Sequence, residues 1–367
     1  MCCKMKNAVI IGGGIHGFSC ADELSKKGVS VTVVEKFDDI FKGASGATHN
    51  RAHSGFHYPR SIDTAKECIA GLRYFEEYFP EFLSYPKEFY YFIEKSNTKT
   101  TTQQYIDFCK TLDLGYRLIW PSHKLLDRTN IDSSFLVKEP CFNLKKIKDY
   151  YLNLVTQGKI DLITSFDVTK GDFLSDNKIC ISNSNGKSLI LNADILINAT
   201  YAYTNNVQQA FSVNEELSEY HLQTTEVAVV GSDNYIPPLT VMDGPFITIL
   251  PNVGTKDEYL VYDVIHSVVS RERGLFYSRP DEIVSMWPEM LSHGLEYFPF
   301  MKDLVYKRSN VASRPILVKT EDSDDRQTKI REHNCRSGFY SILEGKFISA
   351  AVVAEKLVSR IEEDGLL

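Results

Sequence analysis

Short apolar runs and apolar positions spaced three or four apart alternate from the beginning of the chain. Residues 7–11 form an apolar run that predicts a strand, and residues 18–28 have helical spacing that ends at Gly28. Residues 29–36 are rich in β-branched side chains and predict a second strand that ends in Glu35. The chain therefore begins with a β-α-β unit of about 30 residues.

Stretches with the period of a strand and stretches with the period of a helix both recur over the rest of the chain. It predicts a helix at 61–79 with Ser61 or Asp63 as its N-cap, a strand at 89–94, a helix at 99–113, strands and hairpins over 160–200 and 221–265, helical structure at 280–300, and a long amphipathic helix at the end. No repeat and no low-complexity linker interrupts these elements. The sequence therefore indicates an α/β protein whose two domains are interleaved.

Composition and charge narrow the class of protein. The chain has 367 residues, 43% of them hydrophobic and 24% charged, with a net charge of −7, which excludes the basic excess typical of nucleic-acid binding. The eight cysteines form no Cys-x-x-Cys pair, and no apolar run approaches a membrane span or a secretory signal. We expect a cytoplasmic protein with reduced thiols, and we interpret Cys2 and Cys3 as an ordinary N-terminus instead of a lipidation site.

A dinucleotide-binding signature occupies the first β-α-β unit. Gly12, Gly14 and Gly17 give the pattern G-x-G-x-x-G between a predicted strand and a predicted helix. The first glycine permits the tight turn, the second lets a pyrophosphate approach the backbone, and the third allows the helix to pack on the strand. Glu35 lies where an acid accepts hydrogen bonds from ribose hydroxyls. The pattern alone leaves NAD and FAD as alternatives.

The polar segment GASGATHNRAHSGFHYPRS follows at residues 43–61. His49, His53 and His57 have i, i+4, i+8 spacing, which on a helix would place them on one face as metal ligands. The glycines of the segment oppose a continuous helix, and the segment contains no carboxylate, the next one along the chain being Asp63. We predict that no metal binds here and that the segment wraps a cofactor.

Four motifs in this order resemble the D-amino-acid oxidase (DAO) family of FAD-dependent oxidoreductases, which includes glycine and sarcosine oxidases and L-2-hydroxyglutarate and glycerol-3-phosphate dehydrogenases. They are GGGIHG with Glu35, the segment at 43–61, DILINATYAYTN at 194–205, and RPILVKTED at 314–322 followed by GFYSILEGKFISAAVVAEKL at 338–357. The part THNRAHSGFHY is similar to a loop of the hydroxyglutarate enzymes. Tyr201 departs from the family, which usually has glycine at that point.

The resemblance implies FAD as the cofactor and a particular fold. We expect a Rossmann-like, glutathione-reductase-like FAD-binding domain formed by residues 1–80, 141–210 and 320–367. It would be interleaved with a mixed-sheet α+β substrate domain formed by residues 81–140 and 211–319.

The resemblance also implies which residues contact FAD. The predicted cofactor residues are Gly12, Gly14, Ile15, His16 and Gly17 at the pyrophosphate turn, Glu35 and Lys36 at the ribose, Ser45, Thr48, Asn50, Arg51 and His53 in the loop, Val168 at the adenine, Ala199, and Gly345, Lys346 and Phe347 at the flavin. Relatives with covalent flavin usually have Trp-His-Ala, which is absent here, so we favour non-covalent FAD.

The substrate of this family usually carries a carboxylate beside the C–H bond that is oxidised. Arg314 resembles the family's carboxylate-binding arginine, since a guanidinium binds both oxygens. Period-2 alternation puts Tyr262 and His266 on one face of a strand, and His266 could accept the proton of a hydroxyl group. His57, with Tyr58 and Arg60, would face the substrate. Each of these side chains could instead be structural.

Several functions stay open at this level. The main prediction is an enzyme that transfers a hydride from the α-carbon of an amino acid, an N-substituted amino acid or a 2-hydroxy acid to flavin N5. A larger anionic metabolite is the alternative that Arg51, Tyr58, Arg60, Arg271 and Arg273 would suit. A non-catalytic flavin-binding protein and an NAD-only dehydrogenase are the others. The pattern indicates neither the oligomeric state nor whether oxygen is the electron acceptor.

Overall fold

The structure is a computed structural model that describes residues 5–213, 217–278, 280, 282–318, 329–343 and 345–367. Cys2, Cys3 and residues 319–322 of the predicted Arg-Pro motif lie outside these ranges. No helix in the described ranges is both long and apolar enough to cross a membrane.

The described residues form strands and helices in mixed order. The α-helices are α1 Ile15–Lys26, α2 Ile62–Tyr78, α3 Thr102–Thr111, α4 Leu144–Thr156, α5 Thr204–Ala210, α6 Trp287–Gly294 and α7 Ala350–Glu363. The strands are β1 Asn7–Ile11, β2 Ser30–Val34, β3 Leu83–Ser84, β4 Tyr90–Glu94, β5 Tyr116–Leu118, β6 Ile131–Val137, β7 Cys141–Phe142, β8 Ile160–Ile163, β9 Val168–Ser175, β10 Lys178–Asn183, β11 Ser188–Asn192, β12 Ile195–Asn198, β13 Tyr220–Gly231, β14 Leu239–Met242, β15 Ile247–Pro251, β16 Glu258–Asp263, β17 Val268–Gly274, β18 Val305–Leu317, β19 Lys329–Glu332 and β20 Phe339–Leu343.

A six-stranded sheet carries the N-terminal β-α-β unit. Its order is β19-β20-β12-β1-β2-β8, and β1 pairs in parallel with both β12 and β2. The strand order therefore reverses beside β1, and the carboxyl end of such a strand is where doubly wound sheets bind ligands. Apolar side chains of α1, α2, α4 and α7 cover this sheet and form one hydrophobic core with it.

A nine-stranded mixed sheet forms the other layer. Its order is β17-β13-β16-β15-β14-β4-β6-β5, and β18 also pairs with β13 along nearly its whole length. A second core lies under it, where Met290 of α6 and Phe298 and Met301 of the following turn pack on β4, β14 and β16. Strands of this sheet come from residues 90–137 and 220–317, and those of the six-stranded sheet come from both chain ends and the middle.

Most of the predicted elements are present, with shorter limits. The helix predicted at 61–79 is Ile62–Tyr78, and the Oγ of its N-cap Ser61 accepts a hydrogen bond from Thr64 N. The helical stretch predicted at 280–300 is limited to Trp287–Gly294. The mixed α/β architecture with a Rossmann-like layer is confirmed, whereas the boundaries of the two proposed domains stay a prediction.

Candidate active site

A cavity of about 910 Å³ lies between the two large sheets. Its wall includes the turns that follow β1 and β2, the beginning of β9, the loop 43–61, and inward side chains of β16 and β18. This volume is at the upper end of the range for small-molecule and cofactor sites. The predicted site residues that line it are Gly12, Gly14, Ile15, His16, Glu35, Lys36, Ser45, Thr48, His53, His57, Val168, Ala199, Tyr262, Arg314, Gly345, Lys346 and Phe347.

The glycines of the first turn are required by close contacts. Gly12 has a φ of 112°, and a Cβ there would lie 2.7 Å from the carbonyl oxygen of Ala199. A Cβ on Gly17 would lie 2.0 Å from the carbonyl oxygen of Gly12, so Gly17 does not line the cavity but lets α1 pack on the turn. The N-cap Gly14 offers no side-chain cap, which leaves amide groups of the helix N-terminus for an anion.

Two side chains, His16 and Ser45, lie beside this turn. The Nδ1 atom of His16 is buried and has no hydrogen-bond partner among the described residues. Burial lowers the pKa of His16 to about 4, so the ring is neutral at physiological pH. Ser45, which comes from the wrapping loop, accepts a hydrogen bond from Ile15 N at 2.9 Å and ties the loop to the turn.

Glu35 is fixed at the end of β2. Its Oε2 accepts from Gly13 N at 2.6 Å and its Oε1 accepts from Phe37 N at 2.9 Å. Burial raises the pKa of this carboxyl, and the two backbone donors oppose the rise. The carboxylate is therefore aimed by the backbone, with lone pairs left for a diol.

The C-terminal turn closes the cavity from the other side of β1. Lys346 is almost fully buried, and its Nζ lies 2.8 Å from Glu67 Oε2 on α2. A Cβ on Gly345 would lie 3.2 Å from the hydroxyl of Tyr201. Tyr201 itself has a φ of 55°, the left-handed conformation that glycine adopts most readily. The residue that departs from the family's glycine thus keeps the backbone shape of a glycine.

The loop 43–61 brings its three histidines side by side. The ring centroids of His49 and His53 are 5.7 Å apart, and those of His53 and His57 are 5.2 Å apart. Burial, together with the nearby charges of Arg51 and Arg314, lowers the pKa of His49 to about 3, and burial lowers the pKa of His53 well below its ordinary value. The rings of His49 and His53 are therefore neutral near pH 7 and lie in a positive environment.

Arg51 and Asn50 lie behind these rings instead of lining the cavity. The amide of Asn50 donates to Asn252 Oδ1 at 3.2 Å, and the backbone of Asn50 accepts a hydrogen bond from Phe142 N. The guanidinium of Arg51 is completely buried on the side of the nine-stranded sheet. The predicted contacts of these two residues with phosphate or flavin are therefore not supported, because the chain turns them toward β7 and β15.

Arg314 and Tyr262 come together from neighbouring strands. In the register of β13 with β18, Arg314 is opposite Gln223. Its Nε and Nη2 donate to Gln223 Oε1 at 3.1 and 2.6 Å, and its Nη1 donates to Tyr262 Oη at 3.2 Å. Three of its five N–H donors are used in this way. Two donors remain uncommitted among the described residues, which is what recognition of an anion requires.

His266 does not reach the cavity. Strand β16 ends at Asp263, whose Oδ1 accepts a hydrogen bond from Ile265 N at 2.8 Å and turns the chain. The expectation that His266 continues the face of Tyr262 is therefore wrong. His266 and His293 each place Nδ1 within 2.9 Å of Asp263 Oδ2. The geometry gives no support to His266 as the base.

Other cavity residues carry no local sequence signal. Asp243 accepts from Arg60 Nε at 2.8 Å and from the hydroxyl of Thr100 at 2.7 Å, and Phe246 packs edge-on against His57. Gln223, which orients Arg314, lies 91 positions before it. Such residues could be found only from the pairing of distant strands.

Comparison with known proteins gives consistent matches over nearly the whole chain. The family model DAO, described as FAD dependent oxidoreductase, matches residues 7–357. The FAD-dependent monooxygenase kojA of Aspergillus flavus is 25% identical over 96% of this chain and 85% of its own length. The crystal structure of glycine oxidase from Geobacillus kaustophilus covers 98% of this chain and 95% of that chain at 15% identity with a TM-score of 0.76. L-proline dehydrogenase from P. horikoshii covers 98% and 94% at 15% identity with a TM-score of 0.75.

Proposed function

Because this chain belongs to the DAO family of FAD-dependent oxidoreductases, we propose that it oxidises a small amine or 2-hydroxy acid that carries a carboxylate. FAD, the cofactor of the family, accepts the hydride when it is bound. The protein residues would have to bind the cofactor, fix the carboxylate and aim the α-carbon. The observation that carries this proposal is the single cavity that contains both the dinucleotide turn and the pre-oriented Arg314.

The residues at one end of the cavity fit FAD. The turn at Gly12 and Gly14 has no room for side chains, Gly14 provides no side-chain cap for α1, and His16 has a buried polar atom without a partner among the described residues. Glu35 would hold the ribose, and its negative charge disfavours a 2′-phosphate. We propose that Gly345, Lys346 and Phe347 contact the flavin, since they line the cavity opposite Tyr201.

The residues at the other end fit a carboxylate. Gln223 and Tyr262 hold the guanidinium of Arg314 in one orientation, so little side-chain entropy is lost on binding. Among the described residues no carboxylate lies within ion-pair distance of Arg314. A bidentate pair with substrate would therefore add charge without displacing an internal partner.

A hydroxyl substrate needs a group that accepts its proton, and the loop supplies neutral imidazoles. Burial lowers the pKa of His49 and of His53, so both rings have an unprotonated nitrogen near neutral pH. An amine substrate can instead bind in its unprotonated form. Whether activity depends on these histidines would therefore distinguish a hydroxyl substrate from an amine substrate.

A substrate panel tests the proposal. We expect the holoenzyme to lose its visible flavin absorption when the right amine or hydroxy acid is added without oxygen. Arg314→Ala should lower kcat/KM by about 100-fold or more while FAD content is unchanged, since each of the two hydrogen bonds of a bidentate pair with a charged group contributes about 1.5–3 kcal/mol. Arg273→Ala is the matched control, because Arg273 is exposed and pairs with Glu219. Equal activity of the two variants would reject Arg314 as the carboxylate site.

A larger anionic substrate is the second candidate. Arg60 and Lys99 line the cavity in addition to Arg314, and the cavity is large. Arg271 and Arg273 do not line the cavity, so fewer arginines lie at the site than the sequence indicates. This version requires that simple amino and hydroxy acids leave the flavin oxidised, whereas phosphorylated or otherwise doubly charged analogues reduce it.

A further inference from the structure

One of the three loop histidines, His57, is in contact with Arg51, whose side chain can only donate hydrogen bonds. Arg51 Nη1 lies 3.0 Å from His57 Nδ1. A guanidinium stays protonated in proteins and has no acceptor atom. The Nδ1 atom of His57 must therefore be the acceptor, and in the neutral ring the proton must be on Nε2.

The position of Arg51 is itself determined on several sides. Its Nη1 also donates to Tyr91 Oη at 2.7 Å, and its Nη2 donates to the hydroxyls of Thr240 and Thr248 at 2.5 and 2.6 Å. The side chain is completely buried, and so is its counter-charge Glu139, whose Oε2 lies 4.0 Å from Arg51 Nε. A guanidinium with four directed bonds cannot rotate away to let the His57 ring turn over.

Tyr91 links the two buried charges. Its hydroxyl donates to Glu139 Oε2 at 2.5 Å, so its oxygen is left to accept from Arg51. Burial raises the pKa of Tyr91 well above its ordinary value, which keeps this donor protonated. The donor and the acceptor of every hydrogen bond from Glu139 through Tyr91 and Arg51 to His57 therefore follow from which of these groups can donate, and no histidine tautomer has to be assumed.

We propose that His57 is fixed as its Nε2–H tautomer and donates a hydrogen bond to a substrate oxygen, instead of acting as the base. This inference rests on the proposed function, since it names the role of one residue in the same cavity. His57 lines the cavity and faces Phe246 on one side and His53 and Tyr58 on the others. With the Nδ1 edge bonded to Arg51, the opposite edge of the ring carries Nε2.

A donor at this position selects for oxygen. It would bind a carboxylate, carbonyl or hydroxyl oxygen and would disfavour an ammonium group, which has no lone pair. A proton on Nδ1 would place N–H of His57 against N–H of Arg51 at about 3 Å, so the observed hydrogen bond requires an unprotonated Nδ1. The other titratable groups in ring contact are His53, Tyr58 and Tyr91. We expect the neutral His57 ring to keep this tautomer.

Ring nitrogen NMR on the holoenzyme tests the tautomer without any substrate. The protein would be labelled with ¹⁵N-histidine, and the His57 signals among the nine histidines would be assigned by their loss in His57→Gln. In the neutral ring we expect a protonated Nε2 and an unprotonated Nδ1. A neutral ring with its proton on Nδ1 would overturn the proposal.

Kinetics of two variants test the role. Glutamine places an N–H group near the position of Nε2 but cannot accept a proton. His57→Gln should therefore keep kcat within about tenfold, whereas His57→Ala should raise KM by about 10- to 100-fold. A base would be lost in both variants alike, with a fall in kcat of about 100-fold or more, and that result would reject the donor role. If no substrate reduces the flavin, the proposed function fails while the NMR result still decides the tautomer.

Discussion

Gly17→Ala is the sharpest perturbation of the cofactor turn. A Cβ at this position would lie 2.0 Å from the carbonyl oxygen of Gly12, whereas real contacts of this kind are essentially never under 3.0 Å. Either α1 or the turn must therefore shift by about 1 Å, and overpacking of this kind costs about 1–3 kcal/mol. Alanine in place of glycine in a helix contributes about 1 kcal/mol in the opposite direction. The net effect is a decrease of up to about 2 kcal/mol in the free energy of unfolding.

The effect on the cofactor should be larger than the effect on folding. The carbonyl that must move belongs to Gly12, whose own N–H donates to Val34 O at 2.8 Å, so the turn cannot shift without disturbing β2. Amide groups that bind phosphate lose their geometry when they move by about 1 Å. We expect FAD affinity to fall by about 10- to 100-fold, which corresponds to about 1.4–2.8 kcal/mol.

The assay compares the flavin-to-protein absorbance ratio after gel filtration with the urea midpoint of unfolding. Gly115→Ala is the matched control, because a Cβ at Gly115 would meet nothing within 4 Å. The control should keep both values. If Gly17→Ala retained as much FAD as Gly115→Ala and unfolded at the same midpoint, the inferred contact of helix and turn would be wrong.

Three other predictions concern single interactions. Ser61→Ala removes the N-cap of α2 and should lower the free energy of unfolding by about 1 kcal/mol in urea titrations, without change in FAD content. Glu35→Gln turns an amide N–H₂ toward one of two backbone donors, including Gly13 N, and should weaken FAD binding in fluorescence titrations; unchanged affinity would contradict the ribose role. Burial disfavours the charged form of His293, but Asp263 outweighs it and raises the His293 pKa. The stabilisation by this pair is therefore complete below the unfolded pKa of about 6.5 and is lost as pH rises through the folded value. His293→Asn should then destabilise the protein more at about pH 5.5 than at about pH 9; an equal effect at both would contradict the pairing.

The sequence alone determined the cofactor end of the protein. Backbone contacts within one β-α-β unit follow from local spacing, so Gly12, Gly14 and Glu35 could be assigned from their positions in the chain. The segment 43–61 could be predicted as a loop because its glycines oppose a continuous helix, whereas its contact with the cofactor stays a prediction. Helices were predictable where the periodic stretch was long, as in α2 and α7. The residues at which they begin and end were not predictable, because caps such as Ser61 act over only a few residues.

Only the tertiary structure decided the substrate end. Whether a loop side chain faces the cavity or the interior depends on strands far away in the chain. The sequence predicts Arg51 as a cofactor ligand, whereas β4, β14 and β15 surround it with Tyr91, Thr240 and Thr248. His266 has the right period for the cavity face, but the side chain of Asp263 ends the strand three residues earlier. Period and composition encode local preference, whereas the direction of a hydrogen bond between distant strands exists only after the sheet has formed.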